Sequence, residues 1–267
     1  MRRVLRTLRA RASERASDFS AGAPAPSSCR EPTFISADNR PAPLRNPPSP
    51  LFADPVHQMS FGERAALEGL LVDLRPRLAI EIGTYEGGSL MRIASHSQHV
   101  DTFDLDDLVS RKDRLENVTF YHGDSRVQLP PVLERYSARG LTVDFVLIDG
   151  DHSPDGVRAD LMNVLESPAC SRTVIVLHDT MNAGVRRGVQ SAGPETNPGV
   201  VYIELDLVAG YEFSGGDFDG QRWGGLGLVV TGDRATDGYG AMPVQTRYVP
   251  AFDLMDRDHL VPPETAG

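Results

Sequence analysis

Leu78–Leu90, read as LAIEIGTYEGGSL, is the stretch that decides the fold. Apolar or small residues lead into Glu81, and Gly83, Gly87 and Gly88 follow before Ser89 opens a run with helical character. The pattern predicts a strand, a glycine turn and a helix start. A backbone that turns sharply off a strand and must let a ligand come close has no room for a Cβ, so the turn is a candidate ligand cradle. Glycine also serves plain tight turns, and the flanking sequence has to decide between the two readings.

Upstream, Ser60 and Glu63 have the spacing of a capping box. Leu67, Leu70, Leu71 and Leu74 then recur on one helical face until Pro76. Downstream, Ser89 to Ser97 reads as a helix and Val100 to Phe103 as a strand ending at Asp104, with a further strand over Val118 to Tyr121. A helix is expected over Pro130 to Ala138. Val143 to Ile148 is a nearly continuous apolar run that closes on Asp149. A helix over Val157 to Leu165 precedes another such run, Thr173 to Leu177, which ends in His178 and Asp179. Fully apolar strands suit a parallel sheet covered on both faces. Val200 to Leu207 and Leu226 to Val230 read as two strands around the glycine-rich segment Gly210 to Gly225, an antiparallel hairpin at the sheet edge. The expected fold is α/β, a Rossmann-like doubly wound sheet, mostly parallel with an antiparallel edge hairpin.

The 267 residues suit one main α/β domain with appendages. Three segments are expected: a Pro/Arg-rich leader over residues 1–50, the functional domain over 51–230, and a C-terminal extension over 231–267. The leader holds eight of the 20 prolines and nine Arg against four acids, and it buries too little to offset its ordering entropy. A short helix over Arg2 to Arg15 is compatible with its sequence. Residues 51–267 carry 18 basic against 33 acidic side chains, which argues against nucleic acid as the main partner. Cys29 and Cys170 are the two cysteines, so neither a disulfide framework nor a zinc knuckle is available, and a reducing compartment is expected. No apolar run approaches the roughly 18 residues needed to cross a bilayer. No membrane partner and a cytoplasmic location follow as expectations.

In an open parallel sheet, ligands bind off the carboxyl ends of the strands. Here those ends carry Glu81 with its glycines, Asp104, His122 to Ser125, Asp149 to His152, and His178 with Asp179. One acid at a strand end is as readily a helix cap, but five in register are hard to dismiss. Asp104 lies about where an acid ending the second strand can accept from both hydroxyls of a ribose, which suggests an adenosine-containing ligand. A dinucleotide site would have G-x-G-x-x-G. This chain has G-x-x-x-G-G, with Glu81 before it and Glu86 inside it, and two carboxylates repel a diphosphate. They tolerate a cationic ligand such as S-adenosylmethionine.

The blocks E-I-G-x-x-x-G-G-S, F-D-L-D-D, Y-H-G-D-S, D-F-V-L-I-D-G-D-H-S and V-L-H-D-T resemble the class I S-adenosylmethionine-dependent methyltransferases. More narrowly, they resemble the metal-dependent sugar O-methyltransferases of macrolide biosynthesis (the mycinamicin and macrocin type), with cephalosporin hydroxylase-like proteins nearby. The resemblance covers roughly Ser60 to Val230. It implies a cofactor loop at Glu81, Gly83 and Gly87 with Thr84, Tyr85 and Ser89 beside them, a ribose acid at Asp104, and an adenine-flanking segment at Asp124 and Ser125. It also implies a divalent ion, Mg²⁺ or Mn²⁺, on Asp149, His178 and Asp179, with Asp149 bordering the cofactor too, and a catalytic base at His152. These relatives usually have an acid where this chain has His178.

The chemistry agrees with that assignment. Methyl transfer needs an acceptor oxygen in line with the sulfonium methyl, and a sugar hydroxyl is a poor nucleophile until its proton leaves. A divalent ion lowers that pKa, and a histidine can take the proton. The expected activity is therefore S-adenosylmethionine-dependent O-methylation of a small-molecule acceptor, a sugar hydroxyl on a natural product or glycolipid. Two alternatives stay open, a metal-dependent hydroxylase of the cephalosporin hydroxylase-like type and a non-catalytic cofactor-binding relative. Trp223 and Tyr211, near the glycine-rich segment, could form an acceptor platform, although such a tryptophan is more often packed core. Relatives of this kind are often oligomers, and a homo-oligomer is among the expected states.

Overall fold

The computed structural model describes residues 58–109, 115–215 and 219–233. The expected leader over 1–50 with its short helix, and the extension beyond residue 233, lie outside the described residues. Helices and strands alternate: α1 Phe61–Leu74, β1 Leu78–Ile82, α2 Gly88–His96, β2 His99–Asp104, β3 Val118–His122, α3 Ser125–Ala138, β4 Phe145–Ile148, α4 Pro154–Glu166, β5 Val174–His178, α5 Ala183–Ala192, β6 Val200–Glu212 and β7 Arg222–Thr231. The sheet order is β3-β2-β1-β4-β5-β7-β6. β1 to β5 pair in parallel, whereas β7 runs antiparallel to β5 and β6 antiparallel to β7. This is the doubly wound, mostly parallel sheet with an antiparallel edge hairpin that the sequence leads one to expect, and it is the class I methyltransferase fold.

Two apolar layers hold it together, and the period-2 alternation of the strands sorts residues between them. Leu78, Ile80 and Ile82 of β1, Val146 and Ile148 of β4, and Ile175 and Leu177 of β5 pack with Leu129, Leu133 and Tyr136 of α3 and Leu161 of α4. Ala79, Phe145, Leu147, Val174 and Val176 face the other way, onto Leu67, Leu70 and Leu71 of α1 and Leu90 and Ile93 of α2. His178, in step with Val174 and Val176, therefore leaves β5 on the α1 side.

The helix starts follow side-chain chemistry. Ser60 and Glu63 form the reciprocal capping box at α1. Asp124 caps α3, which starts five residues earlier than its prolines suggest and carries Pro130 and Pro131 inside it. Ser153 caps α4 and Asn182 caps α5. The hairpin strands run further into the glycine-rich segment than expected, because Gly210 faces Gly224 and Tyr211 faces Trp223 across the ladder. A Cβ on Gly210 would lie 2.4 Å from the Trp223 carbonyl, so glycine lets the two strands stay paired there.

Candidate active site

β1 to β5 deliver their carboxyl ends to one cavity of about 480 Å³. Gly83, Thr84, Tyr85 and Ser89 line it from the glycine loop, Asp104 from β2, Asp124 and Ser125 from the start of α3, and Asp149, His152, His178 and Asp179 from the ends of β4 and β5. That size and the mixed lining suit a small-molecule ligand.

Backbone geometry builds the glycine-loop half of the cavity, the expected cofactor site. Gly83 has φ +85°, and a Cβ on it would lie 1.9 Å from the Asp149 carbonyl oxygen, so the loop can pass over the end of β4 only with glycine there. Gly87 has φ +89° and stands at the N-cap of α2. Tyr85 is also left-handed, at φ +49°, and its ring is exposed. Asp104 Oδ2 accepts hydrogen bonds from the amides of Thr84 (2.6 Å) and Tyr85 (2.7 Å), while Oδ1 accepts from the amide of Asp106 at 2.9 Å. A carboxylate has about four lone-pair positions. Three are used on the backbone, which leaves one, on Oδ1, for a ligand hydroxyl rather than the two expected.

The structure places two cofactor candidates away from the cavity wall. Glu81 is fully buried under the loop, on the α1/α2 side of the sheet. It accepts from Ser89 Oγ (2.6 Å) and Thr102 Oγ1 (2.7 Å), and burial raises its pKa to about 8. It braces the loop and touches no cavity space. Gly87 likewise shapes the turn from behind. Ser125 lines the cavity and donates to Asp160 Oδ1 at 2.7 Å. Sequence reasoning missed Asp160, an acid of α4 that burial lifts to a pKa of about 6. Asp124 lines the cavity too, and its carboxylate pairs with Arg126 at 2.7 Å.

The other half, at the ends of β4 and β5, is a web of acids and histidines. His152 Nε2 lies 3.4 Å from Asp149 Oδ1 and 3.3 Å from Asp179 Oδ2. His178 Nδ1 lies 2.8 Å from Asp149 Oδ1 and 3.4 Å from Asp179 Oδ2. Asp149 Oδ1 is thus shared by both imidazoles. Asp179 has φ +54°, which turns its carboxylate across the end of β5, and Oδ1 accepts from the Gly224 amide at 2.5 Å. Burial opposes the charge on Asp149, but the His178 charge and the hydrogen bonds from both histidines outweigh it and bring the pKa to about 2. Burial dominates at Asp179 and raises its pKa. The hydrogen bond to Asp149 raises His152. Burial would lower His178, yet the Asp149 charge, its hydrogen bond and Glu63 carry it well above the usual imidazole value.

Glu63 is the second residue that sequence reasoning missed in this role. It is fully buried, and besides closing the capping box its Oε1 accepts from the Gly225 amide at 2.5 Å and lies 3.4 Å from His178 Nε2. Burial works against its charge, but the His178 contacts prevail and its pKa is lowered. His178 Nδ1 is turned to Asp149 and Asp179, and Nε2 to Glu63. The expected ligand set of Asp149, His178 and Asp179 is brought together, through His178 Nδ1. Ligand atoms of Asp149, His152 and Asp179 also lie within 4.8 Å of one another, close enough to hold a cation. Two carboxylates and an imidazole suit a divalent ion of intermediate hardness.

The comparisons agree with the fold. The family model described as a methyltransferase domain matches residues 80–180, from β1 to just past β5. The chain thus has the class I methyltransferase fold, and the part that resembles the methyltransferase-domain model is the parallel half of the sheet. The O-methyltransferase TomG from Streptomyces achromogenes, involved in tomaymycin synthesis and solved with S-adenosylmethionine, superposes with a TM-score of 0.50 at 19% identity, over 67% of this chain and 83% of that one. An O-methyltransferase from Bacillus cereus, solved with S-adenosylhomocysteine, gives a TM-score of 0.48 at 19% identity over 67% and 84%. The MycE methyltransferase of the mycinamycin pathway, solved with Mg, S-adenosylhomocysteine and mycinamycin VI, gives 0.49 at 16% identity over 78% and 58%. No curated protein sequence matches the chain significantly.

Proposed function

We propose that the protein is an S-adenosylmethionine-dependent O-methyltransferase acting in the cytoplasm on a hydroxyl of a small molecule, a sugar on a natural product or glycolipid. The observation that carries this reading is the meeting, in one cavity, of a glycine loop passing over β4 with the Asp149–His152–Asp179 cluster at the ends of β4 and β5. The motif resemblance and the methyltransferase domain over 80–180 support it.

In this reading S-adenosylmethionine supplies the electrophilic methyl, and a divalent ion on Asp149 and Asp179 supplies positive charge that makes a hydroxyl more acidic. The chain's own residues do the rest. The Thr84 and Tyr85 amides, tied to Asp104, hold the loop in one shape without a ligand. Asp149 and Asp179 hold the His152 ring by Nε2, and Nδ1 is the nitrogen left to take the acceptor's proton. His178, fixed between Asp149 and Glu63, sets the position of the Asp149 carboxylate.

A second reading follows from the cluster geometry, in which His152 is the third ligand of the ion. Manganese binding to His152→Ala separates the two, since affinity falls sharply under the second reading and is nearly kept under the first. For the main reading the test is isothermal titration with S-adenosylmethionine and S-adenosylhomocysteine, with and without EDTA and added Mg²⁺ or Mn²⁺. Micromolar binding that survives metal removal is expected, and no binding under any condition would overturn it.

A further inference from the structure

The β6–β7 hairpin carries three aromatic rings, and one of them, Trp223, packs on His152 of the cavity wall. Tyr211 and Trp223 are directly opposed in the ladder, so their side chains leave the same face of the hairpin. Phe213 meets the Tyr211 ring edge-on, with centroids 5.4 Å apart at 81°. The Trp223 ring meets the His152 imidazole at 5.5 Å and 71°, and its indole N–H donates to Gln221 Oε1 at 3.0 Å. Tyr211 is 40% exposed and Phe213 37%, large apolar surfaces kept in water on the hairpin that carries Trp223.

This wall is tied to the chemistry at its base. Gly224 donates to Asp179, Gly225 donates to Glu63, and the Met181 amide donates to the Gly224 carbonyl at 3.0 Å. A Cβ on Gly224 would lie 2.6 Å from Tyr211 Cε1, so the Tyr211 ring lies against bare backbone. The aromatic surface therefore keeps a fixed distance from Asp179 and His152, as a specificity surface needs.

We propose that Trp223, backed by Tyr211 and Phe213, is the specificity-determining platform of an acceptor subsite, and that it holds the apolar face of a hydroxyl-bearing ring so that one hydroxyl meets His152. Aromatic faces bind the C–H face of a pyranose or another aromatic ring, and both present flat apolar area with hydroxyls at the edge. The inference rests on the methyltransferase reading and adds the shape of the acceptor to it.

Trp223 is the sole tryptophan of the chain, so its emission reports on this platform alone. The full-length protein, saturated with S-adenosylhomocysteine, is titrated with methyl β-D-glucopyranoside, with catechol, and with glycerol as a ringless polyol. A saturable change in emission with a ring probe and none with glycerol is expected, and the responding ring tells a carbohydrate acceptor from an aryl one. By calorimetry, Trp223→Ala weakens the responding probe about tenfold while Trp223→Phe largely restores it. Cofactor affinity stays equal in all three proteins, which a merely structural tryptophan would not give. The proposal is overturned if both ring probes are silent, if glycerol responds as they do, or if Trp223→Ala binds them as the wild type does. Failure to bind S-adenosylhomocysteine at all would strike the methyltransferase reading, whereas cofactor binding with silent ring probes strikes the platform alone.

Discussion

The two halves of the cleft are built from different materials. In the half around the glycine loop, main-chain amides and glycines make the surface, and the acids there turn inward, Asp104 to the amides of Thr84 and Tyr85 and Glu81 to Ser89 and Thr102. In the acceptor half, side chains make the surface: His152, His178, Asp149 and Asp179 bond to one another and, through Glu63 and Gly224, to α1 and the hairpin. A backbone cradle survives side-chain changes that leave its fold intact. A charge web fails when one member is removed, because its partner is left buried and unpaired.

That contrast sets the order of expected effects. His152→Ala should reduce turnover by about 10² to 10⁴, the range for losing a general base, while the dissociation constant for S-adenosylhomocysteine moves by no more than about threefold. Comparable loss of both would join the halves into one unit. Gly83→Ala should do the reverse. With no room for its Cβ against the Asp149 carbonyl, cofactor binding should fall about a hundredfold, and thermal unfolding should show a loss of a few kcal/mol. Glu63→Gln should lower stability by about 3 kcal/mol, the scale for breaking a buried ion pair, and a matching His178→Gln change should restore part of it.

Smaller effects appear in pH profiles. The base must be neutral to accept a proton, and His152 has its pKa raised by Asp149, so turnover should climb as pH passes through a value above 6.5 and then level off. A rate that falls over that interval would contradict the assignment. The same raised pKa means that protonated His152 adds stability below pH 6.5, and that this stability is lost as pH rises through the folded-state value. Glu81 follows the same sign. Its pKa rises from 4.5 to about 8 on folding, so its protonated form favours the folded chain at low pH and its ionisation costs stability as pH rises through that window. Glu81→Gln should therefore be nearly neutral in denaturant titrations at pH 5 and stabilising at pH 8.

The glycine loop and the sheet were readable because their signals are local. Glycine spacing, apolar strand runs and the Ser60–Glu63 box each act over a few residues, and they reappear as β1, the loop and α1. The sequence gives less notice of α5, since Gly184 and Gly188 weaken its helical signal. Gly188 is there because a Cβ would lie 2.6 Å from Val157 Cβ of α4, a packing demand from a distant segment. The acceptor web was legible as a set of residue types but not as partners. Glu63 fits a capping box completely, and nothing local shows that its other oxygen meets Gly225, 162 residues away. The position of His178 could have been inferred. Alternation along β5 puts it on the α1 side, where a buried glutamate faces its Nε2.

The claim that the two halves are separable is tested most directly by calorimetric titration of S-adenosylhomocysteine into the double variant Asp149→Asn with His152→Ala. The Gly83–Asp104 cradle is untouched in that protein, and the account predicts a dissociation constant within about threefold of the wild type. Loss of binding in the double variant, with the wild type binding normally and both proteins folded, would mean that the acid–histidine web is part of the cofactor site and would contradict the division.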